Sequence, residues 1–154
     1  MNGKIGIRIA LVLFVSASLG YLAYDTLFTS GTENAEEFSV PETGYVMYYF
    51  TQGKDCSTCD NIEAYALETL NAHFSKEVSS GVIEWAKVDT DNPENEHFNT
   101  DYNLYTKSIV LVEYADGEQV KWEHLEKVWD LVYEKPEYVA YVRSRTAEFM
   151  STAQ

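Results

Sequence analysis

Residues 45–50 (YVMYYF) form a run of six consecutive apolar or aromatic residues. A continuous apolar run of this length is typical of a β-strand buried on both faces, not of a strand that alternates between core and solvent. A strand of this kind favours an α/β domain, in which helices cover both faces of the sheet. With 154 residues, 45% of them hydrophobic, the chain is long and apolar enough for one domain with a real core.

The pattern after this run alternates between helical and extended periods. Apolar residues at three- and four-residue steps predict a helix over residues 57–79, and Gly81 is its stop signal. The other predicted elements are strands at 82–88, 108–114 and 118–122, a short helix at 93–102 that begins at Pro93 and is capped near Asp91 or Asn92, a helical stretch at 125–132, and a final helix at 136–149.

The predicted order is therefore strand, helix, strand, helix, strand, strand, helix. Strands that alternate with helices predict right-handed parallel crossovers. The pair Asp116-Gly117 predicts a hairpin that adds an antiparallel edge strand. The fold class is α/β, with a mixed four-stranded sheet flanked by helices over residues 44–150.

The N-terminus predicts a membrane segment. Lys4 and Arg8 precede residues 9–24, which carry no charge. Residues 5–24 are long enough to cross a bilayer if Arg8 snorkels toward the headgroups, which predicts an N-terminal membrane anchor at residues 1–24. A cleaved signal peptide is the alternative. Residues 25–43, rich in Ser, Thr, Gly and acids, are predicted to be a linker.

The charge balance limits the partners. The chain has 25 acidic and 11 basic residues, a formal net charge of −14, and every acidic residue lies at or beyond Asp25. A body this acidic repels phosphate backbones, so nucleic acid is not expected to bind. The positive-inside rule places the acidic domain on the extracytoplasmic, periplasmic side, where an oxidising environment permits disulfides.

The only two cysteines, Cys56 and Cys59, are separated by two residues between the first strand and the first helix. At a helix N-terminus, unpaired N–H groups and the helix dipole stabilise a thiolate and lower its pKa below the free value of about 8.5. We predict that Cys56 is the exposed nucleophile and that Cys59, on the apolar helix face, is the resolving thiol. Lys54 would stabilise the thiolate further.

A zinc site and a passive disulfide are the alternatives for this pair. Tetrahedral zinc needs about four ligands, but the three histidines, His73, His97 and His124, are scattered along the chain, so no metal is expected. A structural disulfide remains open, although a bridge across two residues closes a tiny loop and stabilises the fold little. No Gly-rich dinucleotide or flavin fingerprint is present, so no cofactor is expected.

The stretch DTDNPENE at residues 89–96 is acidic, but it does not fit a calcium loop. An EF-hand that began at Asp89 would need glycine at its sixth position and glutamate at its twelfth, and Glu94 and Thr100 stand there. The stretch is interpreted as a strand end followed by an acid-rich helix start.

With these motifs in place, the chain resembles the thioredoxin-like superfamily over about residues 44–149. More narrowly, it is similar to the nitrophenyl compound nitroreductase subunit ArsF-type family, on the stretches YYFTQGKDCSTC, VDTDNPENEHF and LYTKSIVL and on the helix after the cysteines. The superfamily resemblance implies thiol–disulfide exchange at Cys56 and Cys59. The family name implies a nitroreductase role, in which this chain would pass electrons and another subunit would reduce the nitro group.

One departure from that resemblance concerns the loop before the third strand. Thioredoxins place a cis-proline there, facing the dithiol, whereas this chain has Thr106, Lys107 and Ser108. A cis bond without proline costs about 2.5–4 kcal/mol, so a trans bond is expected at Lys107. The resemblance then implies that Lys107 and Ser108, together with Lys54, face the dithiol, and that the docking edge suits a dedicated partner.

Two functions follow from the sequence. The first is an exported, membrane-tethered thiol–disulfide oxidoreductase or electron-transfer subunit that exchanges electrons with a membrane-associated or exported redox partner protein. The alternative is a non-catalytic thioredoxin-like accessory module of a membrane complex, with a structural disulfide and an acidic surface that docks a basic partner.

Overall fold

The computed structural model describes residues 40–54 and 56–151. The predicted membrane segment at residues 1–24, most of the predicted linker at 25–43, and Asp55 lie outside the described residues. Among the helices that are described, none is both long and apolar enough to span a bilayer.

The described chain contains four strands and five helices. In chain order they are β1 (Gly44–Thr51), α1 (Ser57–His73), α2 (Ser75–Ser79), β2 (Ile83–Asp89), α3 (His97–Asp101), β3 (Ser108–Ala115), β4 (Glu118–His124), α4 (Val128–Leu131) and α5 (Lys135–Ser151).

The strands form one mixed sheet in the order β2-β1-β3-β4, which confirms the predicted four-stranded sheet. β1 is parallel to β2, with Met47 opposite Trp85. β1 is antiparallel to β3, with Phe50 opposite Ser108. β3 is antiparallel to β4.

The predicted parallel crossover between β2 and β3 is wrong, because β3 runs antiparallel to β1. A parallel β3 would require the connection to return along the whole length of the sheet, about 23 Å for a strand of seven residues. The only helix in that connection, α3, has five residues and spans about 7.5 Å. β3 therefore starts at the same end of the sheet at which β2 stops.

The two faces of β1 are buried under different helices, as its unbroken apolar run predicts. Met47 and Tyr49 belong to a core cluster on the α1 and α5 face, together with Ile62 of α1 and Val142 of α5. The opposite face carries an aromatic cluster, and its members from β1, α3 and the residue that caps α3 are Tyr48, Phe50, Phe98 and Tyr102. The prediction of helices on both faces is thus confirmed.

The buried tyrosine hydroxyls on this aromatic face have hydrogen-bond partners. The hydroxyls of Tyr48 and Tyr114 lie 3.0 Å apart, and the Tyr102 hydroxyl donates to the side-chain oxygen of Gln119. Burial raises the pKa of Tyr48 far above its ordinary value, and the hydrogen bond to Tyr114 raises it further. Burial likewise raises the pKa of Tyr102. Both phenols therefore remain protonated, and a polar group that would be costly to bury alone becomes part of a satisfied network.

The predicted hairpin between β3 and β4 is confirmed. Asp116 and Gly117 have φ values of 56° and 77°, which are the left-handed values that a two-residue type I′ turn requires at both positions. The amide of Gly117 also donates to the carbonyl of Glu42, 2.8 Å away, which fixes the chain just before β1.

Two predicted helices differ from the observed ones. The helix predicted at 57–79 is interrupted at Phe74, which leaves helical geometry (φ −127°) and buries its ring in the core. The helix predicted at 93–102 begins only at His97 and has no side-chain cap. The preceding residues form turns that side-chain hydrogen bonds stabilise. In one of these bonds, the side-chain amide of Asn95 donates to the Asp89 carbonyl.

His124, the last residue of β4, makes stability depend on pH. Burial lowers its pKa below the ordinary 6.5, against an opposing effect of Glu126. Because the unfolded chain then takes up this proton first, the free energy of unfolding should fall as the pH drops through about 6.5, and the loss should level off below the folded-state pKa.

Replacing His124 with Gln should therefore flatten the decline in stability between about pH 7 and pH 5. The measurement is urea unfolding followed by circular dichroism at a series of pH values. His73→Gln makes the same substitution at the exposed end of α1 and is the matched control. Equal slopes for wild type and His124→Gln would contradict the assignment.

Candidate functional site

Cys56 and Cys59 form a disulfide at the N-terminus of α1, with sulfurs 2.08 Å apart and Cα atoms 5.1 Å apart. Cys56 is the N-cap residue: its backbone is extended (φ −146°, ψ 148°), and its sulfur accepts a hydrogen bond from the amide of Cys59 at 3.1 Å. Its carbonyl accepts from the amide of Asp60, which closes the first helical turn. The sulfur of Cys56 thus occupies the place where a helix N-terminus stabilises negative charge.

The two cysteines differ sharply in exposure. Cys56 is exposed, whereas Cys59 is 4% exposed and packs on the apolar side of α1. A substrate thiol or disulfide in solution can therefore approach Cys56 and not Cys59. This arrangement suits a nucleophile at Cys56 and a resolving thiol at Cys59.

Two buried tyrosines fasten the first turns of α1 to the core. The Tyr49 hydroxyl of β1 donates to the Cys59 carbonyl at 3.2 Å, and the Tyr138 hydroxyl of α5 donates to the Ile62 carbonyl at 2.8 Å. Burial raises the pKa of Tyr138 well above its ordinary value, so this phenol keeps the proton that it donates. Cys59 therefore lies on a helix that is held in position by both the sheet and α5.

The segment between β1 and α1 is bound to the loop after β2. The Thr51 carbonyl accepts from both the amide and the hydroxyl of Thr90, at 2.9 and 3.2 Å. Gly53 donates its amide to a carboxylate oxygen of Asp91 at 2.6 Å. Gly53 has a φ of 65°, and a Cβ added there would meet nothing within 4 Å, so backbone geometry alone favours glycine.

Lys107 lies at the dithiol end of the sheet and is 4% exposed. Its carbonyl accepts from the indole N–H of Trp129 at 2.8 Å, and Trp129 packs against the core on the α1 face. The Lys107 carbonyl is therefore bound by a side chain on the face of the sheet that carries α1.

The other two residues predicted to face the dithiol are placed differently. Ser108 is fully buried opposite Phe50, and its hydroxyl donates to the Thr106 carbonyl at 2.8 Å. Lys54 is exposed, two residues before Cys56. Every peptide bond in the described part of the chain is trans, including the bond between Thr106 and Lys107, which confirms the expected departure from a cis-proline loop.

Sequence reasoning missed two contacts at this site. Tyr49 was only one apolar member of the β1 run, although a buried phenol needs a hydrogen-bond partner and so predicts a polar contact of some kind. Asp91 was one of several acids in DTDNPENE, and nothing in the sequence singles it out as the partner of Gly53. Within residues 40–54 and 56–151, no group of three or more His, Cys, Asp or Glu side chains is arranged to hold a metal ion.

No known family profile matches this chain, and no curated protein sequence is similar to it. Among solved structures, it is similar to thioredoxin from Trypanosoma brucei brucei, with 15% identity over 71% of this chain and 87% of that chain and a TM-score of 0.38. It is similar to the Schistosoma mansoni thioredoxin preprotein, with 22% identity over 60% and 80% of the two chains and a TM-score of 0.35.

It is also similar to the first two thioredoxin domains of Naumovozyma dairenensis Eps1p, with 17% identity over 66% of this chain and a TM-score of 0.40, and the match spans only 35% of that chain. Similarities this low carry no weight by themselves. The strand order β2-β1-β3-β4, the strand directions and the Cys-x-x-Cys disulfide between β1 and α1 define a thioredoxin-like α/β fold.

Proposed function

We propose that the protein is a thiol–disulfide oxidoreductase that uses the pair Cys56 and Cys59. The observation that carries the proposal is the asymmetric disulfide at the start of α1, with one exposed sulfur at the N-cap and one buried sulfur. A disulfide that spans two intervening residues stabilises the fold little. The presence of the cysteine pair at the strand–helix junction is therefore better explained by thiol–disulfide exchange than by a structural role.

In the reduced protein, the Cys56 thiolate attacks one sulfur of a substrate disulfide. That S–S bond breaks, a mixed disulfide forms at Cys56, and the departing substrate thiolate takes up a proton. Cys59 then loses its proton, attacks the Cys56 sulfur and releases the second substrate thiolate, which is protonated in turn. Two electrons and two protons have passed to the substrate, and the Cys56–Cys59 disulfide is restored; a partner dithiol reduces it by the same steps in reverse.

A redox titration of the full chain in glutathione buffers tests this proposal, with free thiols counted by the mass added by a maleimide. We expect a reversible two-electron step between about −120 and −280 mV, the range of working thiol oxidoreductases. Cys56→Ser should abolish reaction with oxidised glutathione, whereas Cys59→Ser should form a mixed disulfide at Cys56 and fail to release it.

The opposite result defines the alternative function. A disulfide that stays closed below about −300 mV would be a structural bridge, and the protein would then be a non-catalytic accessory module of a membrane complex. In that case a Cys56→Ser/Cys59→Ser double variant would still bind its partner, through the acidic surface that the net charge of −14 provides.

We also propose that Lys107 stabilises the Cys56 thiolate in the reduced protein. Its position at the end of the sheet where β1 stops and its burial support this role, because a cation screened from water acts more strongly on a nearby anion than an exposed one. Lys54 carries the same charge next to Cys56 but is exposed, so its effect should be smaller.

Replacing Lys107 with Gln should move the pH profile of Cys56 alkylation by iodoacetamide to higher pH. Lys54→Gln removes the same charge from an exposed position and should move the profile less. Thermal unfolding of both variants checks that the fold is retained. An unchanged profile in folded Lys107→Gln would remove Lys107 from the site.

We propose that the domain is exported and tethered to a membrane through residues 5–24, on the periplasmic side. The uncharged stretch at 9–24, the preceding Lys4 and Arg8, and the acidic body support this topology. The redox partner would then be another exported or membrane-associated protein.

In a bacterium that expresses the full chain, the protein should remain with the membranes after alkaline extraction. Protease added outside the inner membrane should digest the domain. Deletion of residues 1–24 should release the domain and leave it inside the cell. A mature protein that lacks residues 1–24 would show a cleaved signal instead of an anchor.

A more specific form of the proposal comes from the resemblance to the ArsF-type nitroreductase subunit. In that form the dithiol passes its electrons to a separate subunit that reduces a nitroaromatic compound. It shares the requirement for Cys56, so nitro reduction by intact membranes should then be lost in Cys56→Ser and retained in the matched surface variant Ser57→Ala.

A further inference from the structure

We propose that Asp91 is a positioning residue for the dithiol: through the Gly53 amide, its carboxylate holds the chain before Cys56 in place when the disulfide opens. The inference rests on the proposed exchange reaction at Cys56. It concerns a residue that follows Cys56 by three elements, α1, α2 and β2, and whose carboxylate bonds to the Gly53 amide.

The contact is built from the sheet outward. Thr90 is 3% exposed and donates twice to the Thr51 carbonyl, so the loop after β2 is bound directly to the end of β1. The next residue, Asp91, reaches Gly53 at 2.6 Å, which is within the range of a hydrogen bond to a charged acceptor. The backbone link at Thr51 thus sets where the carboxylate stands.

The backbone of Asp91 is held by its own loop as well. The backbone amide of Asp91 donates to the Asp89 carboxylate at 3.0 Å, and the Asn95 side-chain amide donates to the Asp89 carbonyl at 3.0 Å. These contacts keep the loop in a compact turn, and they place the backbone that carries the exposed Asp91 carboxylate beside Gly53. Asp89 and Asn95 support the loop, and Asp91 contacts Gly53, three residues before Cys56.

The need for such a contact changes with redox state. In the oxidised protein, the S–S bond ties Cys56 covalently to Cys59 and hence to α1. Once that bond opens, the hydrogen bonds at Cys56 that do not depend on it are those from the Cys59 and Asp60 amides. Gly53 adopts a left-handed φ of 65°, and the Asp91 carboxylate is the side chain that fixes its amide.

The test compares the full-length wild type with Asp91→Ala, Asp91→Asn and Glu94→Ala. Asn keeps an acceptor for Gly53 and removes the charge, whereas Ala removes both. Glu94→Ala removes one negative charge from the same exposed loop and serves as the matched control.

Hydrogen exchange of the Gly53 amide, followed by NMR in the reduced protein, reports the contact itself. We expect exchange at least about tenfold faster in Asp91→Ala than in wild type, with most of the protection restored in Asp91→Asn. A wild-type Gly53 amide that exchanges in the reduced protein as fast as an unstructured amide would overturn the proposal without any variant.

Two further readouts separate positioning from general stability. Alkylation of Cys56 by iodoacetamide should slow by about tenfold in Asp91→Ala relative to Glu94→Ala. The equilibrium with glutathione should shift about three- to tenfold toward the disulfide, because the lost contact matters mainly in the dithiol form.

If Asp91→Ala lowers only the melting temperature, and its alkylation rate and redox equilibrium match those of Glu94→Ala, then Asp91 is structural and the proposal fails. If wild-type Cys56 itself fails to react with oxidised glutathione, the proposed function fails instead. The exchange rate of Gly53 still reports the contact in that case, so the two failures are distinguishable.

Discussion

The burial of β1 on both faces is the constraint on which the rest of the structure depends. Its residues Val46 to Phe50 are at most 2% exposed, so helices must cover the sheet on each side. Because β1 lies between β2 and β3, its last residue lies near the middle of one end of the sheet. The next element along the chain is α1, with Cys56 at its N-cap and Cys59 in its first turn.

The short connection through α3 also brings two other stretches of the chain to this end of the sheet. Since β2 stops and β3 starts at the same end, the loop with Asp91 and the residue Lys107 both lie beside the end of β1. The buried hydroxyls of Tyr49 in β1 and Tyr138 in α5 donate hydrogen bonds to backbone carbonyls of α1 and hold that helix in place. α1 is therefore held by residues of β1 and α5, and the loop with Asp91 bonds to Gly53 at the same end of the sheet.

The sequence predicted the elements and the dithiol better than the way they fit together. Apolar and β-branched residues predicted β1, β2 and β3, and the pair Asp116-Gly117 predicted the hairpin to β4 because two-residue turns need positive φ values. The direction of β3 was missed because alternation of strands and helices does not reveal how far a connection travels. Only the observed length of α3 settles it.

The contacts of the candidate site also fall into two groups: those that the local sequence predicts and those that depend on the tertiary structure. The spacing of Cys56 and Cys59 is local, so a helix that starts between them places one sulfur outside and one inside. The bonds from Tyr49 to Cys59 and from Gly53 to Asp91 depend on side-chain reach within the folded sheet. DTDNPENE offers several acids of equal standing in sequence, and tertiary geometry alone selects Asp91.

The two ends of the described domain meet at the pole opposite the cysteines. Tyr45, near the start of β1, donates its hydroxyl to the carbonyl of Met150, near the end of α5, and its ring packs against Phe149. The eight residues of β1 separate this pole from the dithiol by about 26 Å. The first strand and the last helix of the domain are therefore bound to each other at the end of the sheet that lies farthest from the exposed sulfur of Cys56.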